Sequence, residues 1–266
     1  MIARLVVSDE DRGVTLGRPV LLLVLGVSCL SCFTNEVTAQ PIWHSENVAL
    51  LTGDNYTVDD PRQTTMTVEH ASAWAWGDLF GFADITRYHD SDRGTSIYSE
   101  ITPRVSMSWL TDSRWSTGIV KDVLIATTVE MGSGPVENLL LGPGLSLDVA
   151  GFDFLNLNIQ YRIPHHGQSQ GWMLGTAWAW RTAALGSTFV FDGYADWIVT
   201  DRGGSNSNLH FSPQLKFDLG PWLGISPEHW YAGIEYDYWS NKYGIPDSDV
   251  FETNQNTLSA MVQLKF

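Results

Sequence analysis

Residues 152–163 read F-D-F-L-N-L-N-I-Q-Y-R-I and sort into two faces. Leu155, Leu157, Ile159, Tyr161 and Ile163 share one; Asn156, Asn158, Gln160 and Arg162 share the other. A period of two with one wholly polar face marks a β-strand whose two sides meet different surroundings. The alternation returns at the end of the chain in T-L-S-A-M-V-Q-L-K-F (257–266), where Leu258, Ala260, Val262, Leu264 and Phe266 fall in step. Beyond residue 40 no apolar stretch approaches the ~18 residues a spanning helix needs, and no long run keeps a helical period.

Followed along the chain, this pattern predicts about twelve strands, near 45–51, 64–75, 79–88, 97–109, 118–130, 138–149, 153–163, 170–182, 188–200, 208–217, 229–239 and 257–266. Their connections differ in kind. Tight turns are expected at Gly77-Asp78, Ala150-Gly151 and Leu185-Gly186, with longer ones near 111–117 and 218–228. Polar loops follow the odd-numbered strands, among them T-G-D-N-Y-T-V-D-D-P-R-Q, H-D-S-D-R-G-T-S and S-N-K-Y-G-I-P-D-S-D. Short turns alternating with long loops between antiparallel strands is the layout of an outer-membrane barrel. The fold expected is therefore all-β: a transmembrane antiparallel β-barrel of about twelve strands. An even count leaves both chain ends on the periplasmic side and no open edge in hydrocarbon.

The aromatic residues fit the same layout. Trp74 and Trp76 lie in W-A-W-G-D-L-F-G-F-A-D (74–84), at a periplasmic hairpin where indole rings belong to the membrane interface, and Trp109, Trp222 and Trp230 fall near other periplasmic strand ends. A soluble sandwich could instead bury such residues in a core, but its strands would not carry so many polar faces.

Composition bounds the function. A net charge of −15 over 266 residues argues against a nucleic-acid partner, which requires a basic face. Arg4, Arg12 and Arg18 precede the apolar run P-V-L-L-L-V-L-G-V-S-C-L (19–30), and Val37 and Ala39 suit a small-residue cleavage site. Residues 1–39 are therefore expected to be a cleaved signal peptide and 40–266 the barrel domain, although Asp9, Glu10 and Asp11 are unusual so early. Both cysteines, Cys29 and Cys32, fall in this leader, so the exported chain would have no disulfide. Gly26 and Cys29 stand three residues before them, where a lipid-anchored leader would carry a branched aliphatic residue.

T-V-E-H-A-S-A-W-A-W-G-D-L-F-G-F-A-D (67–84) and Y-S-E-I-T-P-R-V-S (98–106) together resemble the Tsx-like nucleoside-specific channel-forming family of Gram-negative outer membranes. That family shows an acidic strand, a W-x-D-x-Y/F-G-Y/F-x-D hairpin and an E-I-x-P-R-x-S strand. The terminal L-K-F is similar to the aromatic C-terminus that barrel-insertion machinery reads. The resemblance implies a monomeric twelve-stranded barrel with a narrow lumen, through which nucleosides diffuse without cofactor or energy coupling. Aromatic side chains would meet the base and ionisable groups the sugar hydroxyls.

Alternation assigns the inward positions. Glu69 faces the lumen on the second strand, Phe80, Phe82, Asp84 and Tyr88 on the third, and Tyr98, Glu100, Thr102 and Arg104 on the fourth. Arg162, Arg181, Asp192, Asp196, Lys216, Glu235 and Asp237 follow. Rings among charges suit a neutral, ring-bearing solute with hydroxyls. The motif matches single out Glu69, Phe80, Phe82, Asp84, Glu100 and Arg104 as substrate-binding candidates, and Tyr56 stands near the mouth. The competing reading is that lumen acids and arginines only pair with one another to stiffen the wall. His165-His166 is weak evidence for a metal, and H-S-E-N (44–47) places a histidine and a serine as mere sequence neighbours, short of a triad. A channel for another small solute, an outer-membrane lipid hydrolase and a loop-based receptor or adhesin remain the alternatives.

Overall fold

The computed structural model describes residues 40–165, 170–199 and 206–266; the expected leader lies outside the described residues. Twelve strands follow along them: β1 (Trp43–Gly53), β2 (Gln63–Trp74), β3 (Gly77–Tyr88), β4 (Thr95–Ser106), β5 (Val120–Gly132), β6 (Val136–Leu147), β7 (Phe152–Pro164), β8 (Gly171–Ala184), β9 (Ser187–Ile198), β10 (Asn208–Asp218), β11 (Trp230–Ser240) and β12 (Gln255–Lys265). Each pairs with the next, and β12 returns to β1 from Asn47↔Lys265 to Gly53↔Ser259, so the sheet is a closed barrel.

The two faces divide by polarity as the alternation requires. Leu50, Val68, Ile101, Leu141, Ile159 and Leu258 point out and are exposed, whereas Thr102, Thr128, Gln160, Ser212, Thr257 and Ser259 point in and are buried. A water-soluble fold would reverse this; a barrel with hydrocarbon outside and a polar lumen demands it. The inner surface has apolar parts as well, with Leu140, Met173 and Ile198 clustering in one place and Ala49, Leu51 and Met261 in another.

Strand boundaries agree with the alternation to within a few residues, and the differences have local causes. The hairpin between β2 and β3 turns at Ala75-Trp76, not at Gly77-Asp78. Gly77 instead opens β3 with φ 144°, and a Cβ there would lie 1.9 Å from the carbonyl oxygen of Arg104, so close approach of β4 requires glycine. Trp74 and Trp76 stack at this hairpin with ring centroids 6.0 Å apart. β4 stops at Ser106 because its Oγ accepts the Trp109 N–H at 3.1 Å and caps a short helix, Met107–Thr111. Trp109 therefore sits in that helix, beyond the strand end. The other long turn likewise holds a short helix, Gly220–Leu223, led by Pro221. Leu185-Gly186 has positive φ at both positions, the conformation a two-residue hairpin needs.

Ile101 lies in the middle of β4, exposed on the outer face. Ile101→Arg should cost about 2–4 kcal/mol of folding stability in a bilayer, while Ile101→Val should change little. Denaturant titration of both variants in lipid vesicles checks the assignment; equal stabilities would mean that this face does not meet hydrocarbon.

Candidate functional site

Register places the candidates in rows across the lumen wall. Glu69, Phe82, Glu100 and Glu130 stand side by side on β2 to β5. One step towards the loop end are Thr67, Asp84 and Tyr98, and one step the other way are Ala71, Phe80 and Thr102. Glu69 accepts a hydrogen bond from Asn47 at 2.8 Å, Asp84 one from Thr67 at 2.6 Å, and Glu100 one from the Tyr98 hydroxyl at 2.6 Å. Each of these acids thus has a neutral donor on the wall and lone pairs to spare. The rings form a continuous ladder: Phe80 to Phe82 at 6.0 Å between centroids, and Phe82 to Tyr98 at 5.9 Å. Phe80 is 37% exposed although it faces inward, so the lumen reaches its ring.

Tyr56 joins this group from the loop 54–62. Its hydroxyl hydrogen-bonds Ser259 on β12 at 2.7 Å, and it lies within electrostatic reach of Asp84, Glu235 and Asp237. Burial, opposed by the Ser259 bond and reinforced by those acids, pushes the phenol up to about 12, so it keeps its proton at neutral pH.

Arg104 stands apart from the acid row. Its guanidinium grips Asp78 with two bonds, Nε at 2.7 Å and Nη2 at 2.6 Å, and its side chain is only 6% exposed. Asp78 is thus an inward strand residue and a wall partner. Glu130 is held through its Oε2 by Arg162 at 2.8 Å and by Asn138 at 2.7 Å. Lys216 pairs with Asp192 at 2.6 Å, and Arg181 with Asp153 at 2.8 Å.

The far wall carries a second aromatic group that the charge-led reading of the sequence missed. His210 on β10 stacks on Trp239 of β11 with centroids 3.8 Å apart and planes at 18°. Tyr194 of β9 meets the same imidazole edge-on at 5.0 Å, and Asp237 binds its Nε2 at 3.1 Å. Glu235, beside it, accepts from Gln214 at 2.7 Å. Phase alone could have found these rings: His210 is in step with Lys216, and Trp239 with Glu235 and Asp237.

Breaking a wall grip should be a stability defect. Arg104→Gln leaves Asp78 without its cation and should cost about 1–3 kcal/mol. Adding Asp78→Asn should recover part of it. The temperature at which the folded band disappears in heat-modifiability gels gives the comparison; an unchanged temperature for Arg104→Gln would count against the clamp.

The family model for the nucleoside-specific channel-forming protein Tsx matches residues 42–266, the whole barrel. Among solved structures, a KdgM porin is similar at 12% identity, covering 84% of this chain and 99% of its own, with a TM-score of 0.47. The same porin in complex with disordered oligogalacturonate gives 13% identity and the same coverage and score. The translocator domain of the autotransporter NalP from Neisseria meningitidis gives 11% identity over 93% of this chain and 94% of its own, with a TM-score of 0.30. A search of curated proteins finds no match.

Proposed function

This chain belongs to the Tsx family of nucleoside-specific channel-forming proteins and is a channel of the Gram-negative outer membrane, and we propose that nucleosides diffuse passively through its lumen. The observation that carries the reading is the ladder Phe80–Phe82–Tyr98 running beside Glu69, Asp84 and Glu100. A base slides from ring to ring while its ribose hydroxyls donate to carboxylates whose wall partners leave lone pairs over. The His210–Trp239 stack offers the opposite face of the passage a comparable surface. Solute leaves chemically unchanged. One chain closes the lumen, so a monomer among outer-membrane lipids suffices.

Release must be easy in a diffusion path, so affinity in the millimolar range, about −4 kcal/mol, is expected. Losing one stacking ring should cost roughly 1–3 kcal/mol by analogy with base–aromatic contacts. Phe82→Ala should therefore weaken block of channel current by adenosine far more than it alters the open current. Asp84→Asn should reduce entry of adenosine relative to adenine, because only adenosine uses the sugar contact. Uptake of both radiolabelled solutes, in cells lacking other channels, gives the ratio for wild type and each variant. Equal entry of adenosine and adenine, insensitive to both substitutions, would reduce the row to wall packing.

A further inference from the structure

The loop 54–62 does not lie free at the mouth of the barrel. It runs along the inner side of β12, where Asn55 Nδ2 donates to the Asn256 carbonyl, the Thr57 N–H to Gln255 Oε1, and Thr257 Oγ1 to the Asn55 carbonyl. At its centre Asp59 collects two other loops of the same end. Arg93, from the loop 89–94, donates to its Oδ1 at 2.9 Å. Tyr243, from the loop 241–254, donates to its Oδ2 at 2.7 Å, and the ammonium of Lys242 lies 3.3 Å from that oxygen.

Lys242 is the unusual member. Its side chain is 5% exposed, and its ammonium also donates to Gln255 Oε1 at 2.7 Å and to the Thr57 carbonyl at 3.2 Å. The rings of Tyr243, Tyr56 and Trp239 surround it at 5.2, 5.8 and 6.0 Å from their centroids. A buried ammonium is costly unless its partners are complete, and here carboxylate, amide, carbonyl and ring faces complete them. The backbone on both sides is held in the left-handed region: Val58, next to Asp59, at φ 69°, and Tyr243, next to Lys242, at φ 60°. A β-branched residue there is a strained outlier, and such strain persists only where surrounding contacts over-determine it.

We infer that Asp59 and Lys242 are positioning residues for permeation: they strap three loops together at the mouth and hold the Tyr56 ring across the entrance to the acidic lumen, setting its aperture. The strap sits two residues from Thr57 and three from Tyr56, whose hydroxyl ends on Ser259 deep on the inner wall. Asp59 is charged at neutral pH: burial raises it, and Lys242 with the donors Tyr243 and Arg93 brings it below the usual carboxylate range. The inference depends on the channel but not on which solute it carries.

The test uses the full barrel in planar bilayers with potassium chloride as the probe, so its outcome is independent of nucleoside recognition. Asp59→Asn and the near-isosteric Lys242→Met should each raise single-channel conductance, by about twofold for a relaxed constriction, and add current noise. The charge exchange Asp59→Lys with Lys242→Asp should restore a quieter, smaller conductance than either single exchange. Tyr56→Ala should raise conductance as much as loss of the strap, and adding Asp59→Asn to it should bring no further rise. If neither Asp59→Asn nor Lys242→Met changes the conductance of protein that still shows the folded heat-modifiable band, or if the Tyr56 and Asp59 effects simply add, the inference is wrong. Should Asp59→Asn fail to fold, Lys242→Met, alone and with Tyr56→Ala, gives the same decision.

Discussion

A peptide group in hydrocarbon has no water to bond, so each one that crosses the membrane must find its partner within the protein. The pairing of β12 with β1 from Asn47↔Lys265 to Gly53↔Ser259 is where this chain meets that demand, because it removes the last two open edges. Much else follows from closure. Twelve strands in antiparallel order require alternate turns at opposite ends, which places the strapped loops 54–62, 89–94 and 241–254 together. Closure also fixes which side chains face in, since a pleat alternates and a slip of one residue would turn every Leu and Ile of a strand into the lumen.

A closed barrel has a second problem, which is what to do with polar groups once they face inward. Its answer divides the acids into two kinds. Asp78, Glu130 and Asp192 are gripped by Arg104, Arg162 and Lys216, and these pairs hold the wall. Glu69, Asp84, Glu100 and Glu235 take donors from Asn47, Thr67, Tyr98 and Gln214 instead. A carboxylate bonded to an amide or hydroxyl has geometry fixed by the wall and acceptor capacity left for a passing hydroxyl. The distinction between the two kinds is thus one of partner type, and both occur on β3, where Arg104 grips Asp78 and the Thr67 hydroxyl donates to Asp84.

Alternation was enough to read the fold because the contrast between media is largest in a membrane barrel: Leu155 through Ile163 against Asn156 through Arg162 leaves no second register. It was equally enough to point Glu69, Phe82, Asp84 and Glu100 inward. Two kinds of feature escaped it. The turn at Ala75-Trp76 was displaced by the close approach of Gly77 to Arg104, a contact between strands that no local pattern records. The end of β4 was obscured because helix caps and strand ends use the same small polar residues, Ser106 being both. Partner type escaped as well: Arg104 and Glu100 share a motif, yet only register shows that Asp78 is opposite the first and Glu130 beside the second.

Register also explains why the acid-rich side of the lumen tolerates its own charge. Glu100 pairs directly with Glu130, an arrangement that opposes folding when both are ionised. Arg162 and Asn138 both hold Glu130 Oε2 to the wall, and the Tyr98 hydroxyl donates to Glu100. Glu69, Asp84 and Glu100 stand together beside the aromatic ladder, each with acceptor capacity beyond its wall partner. Closure sets these acids side by side on β2 to β5, and each must find its partner on the wall itself.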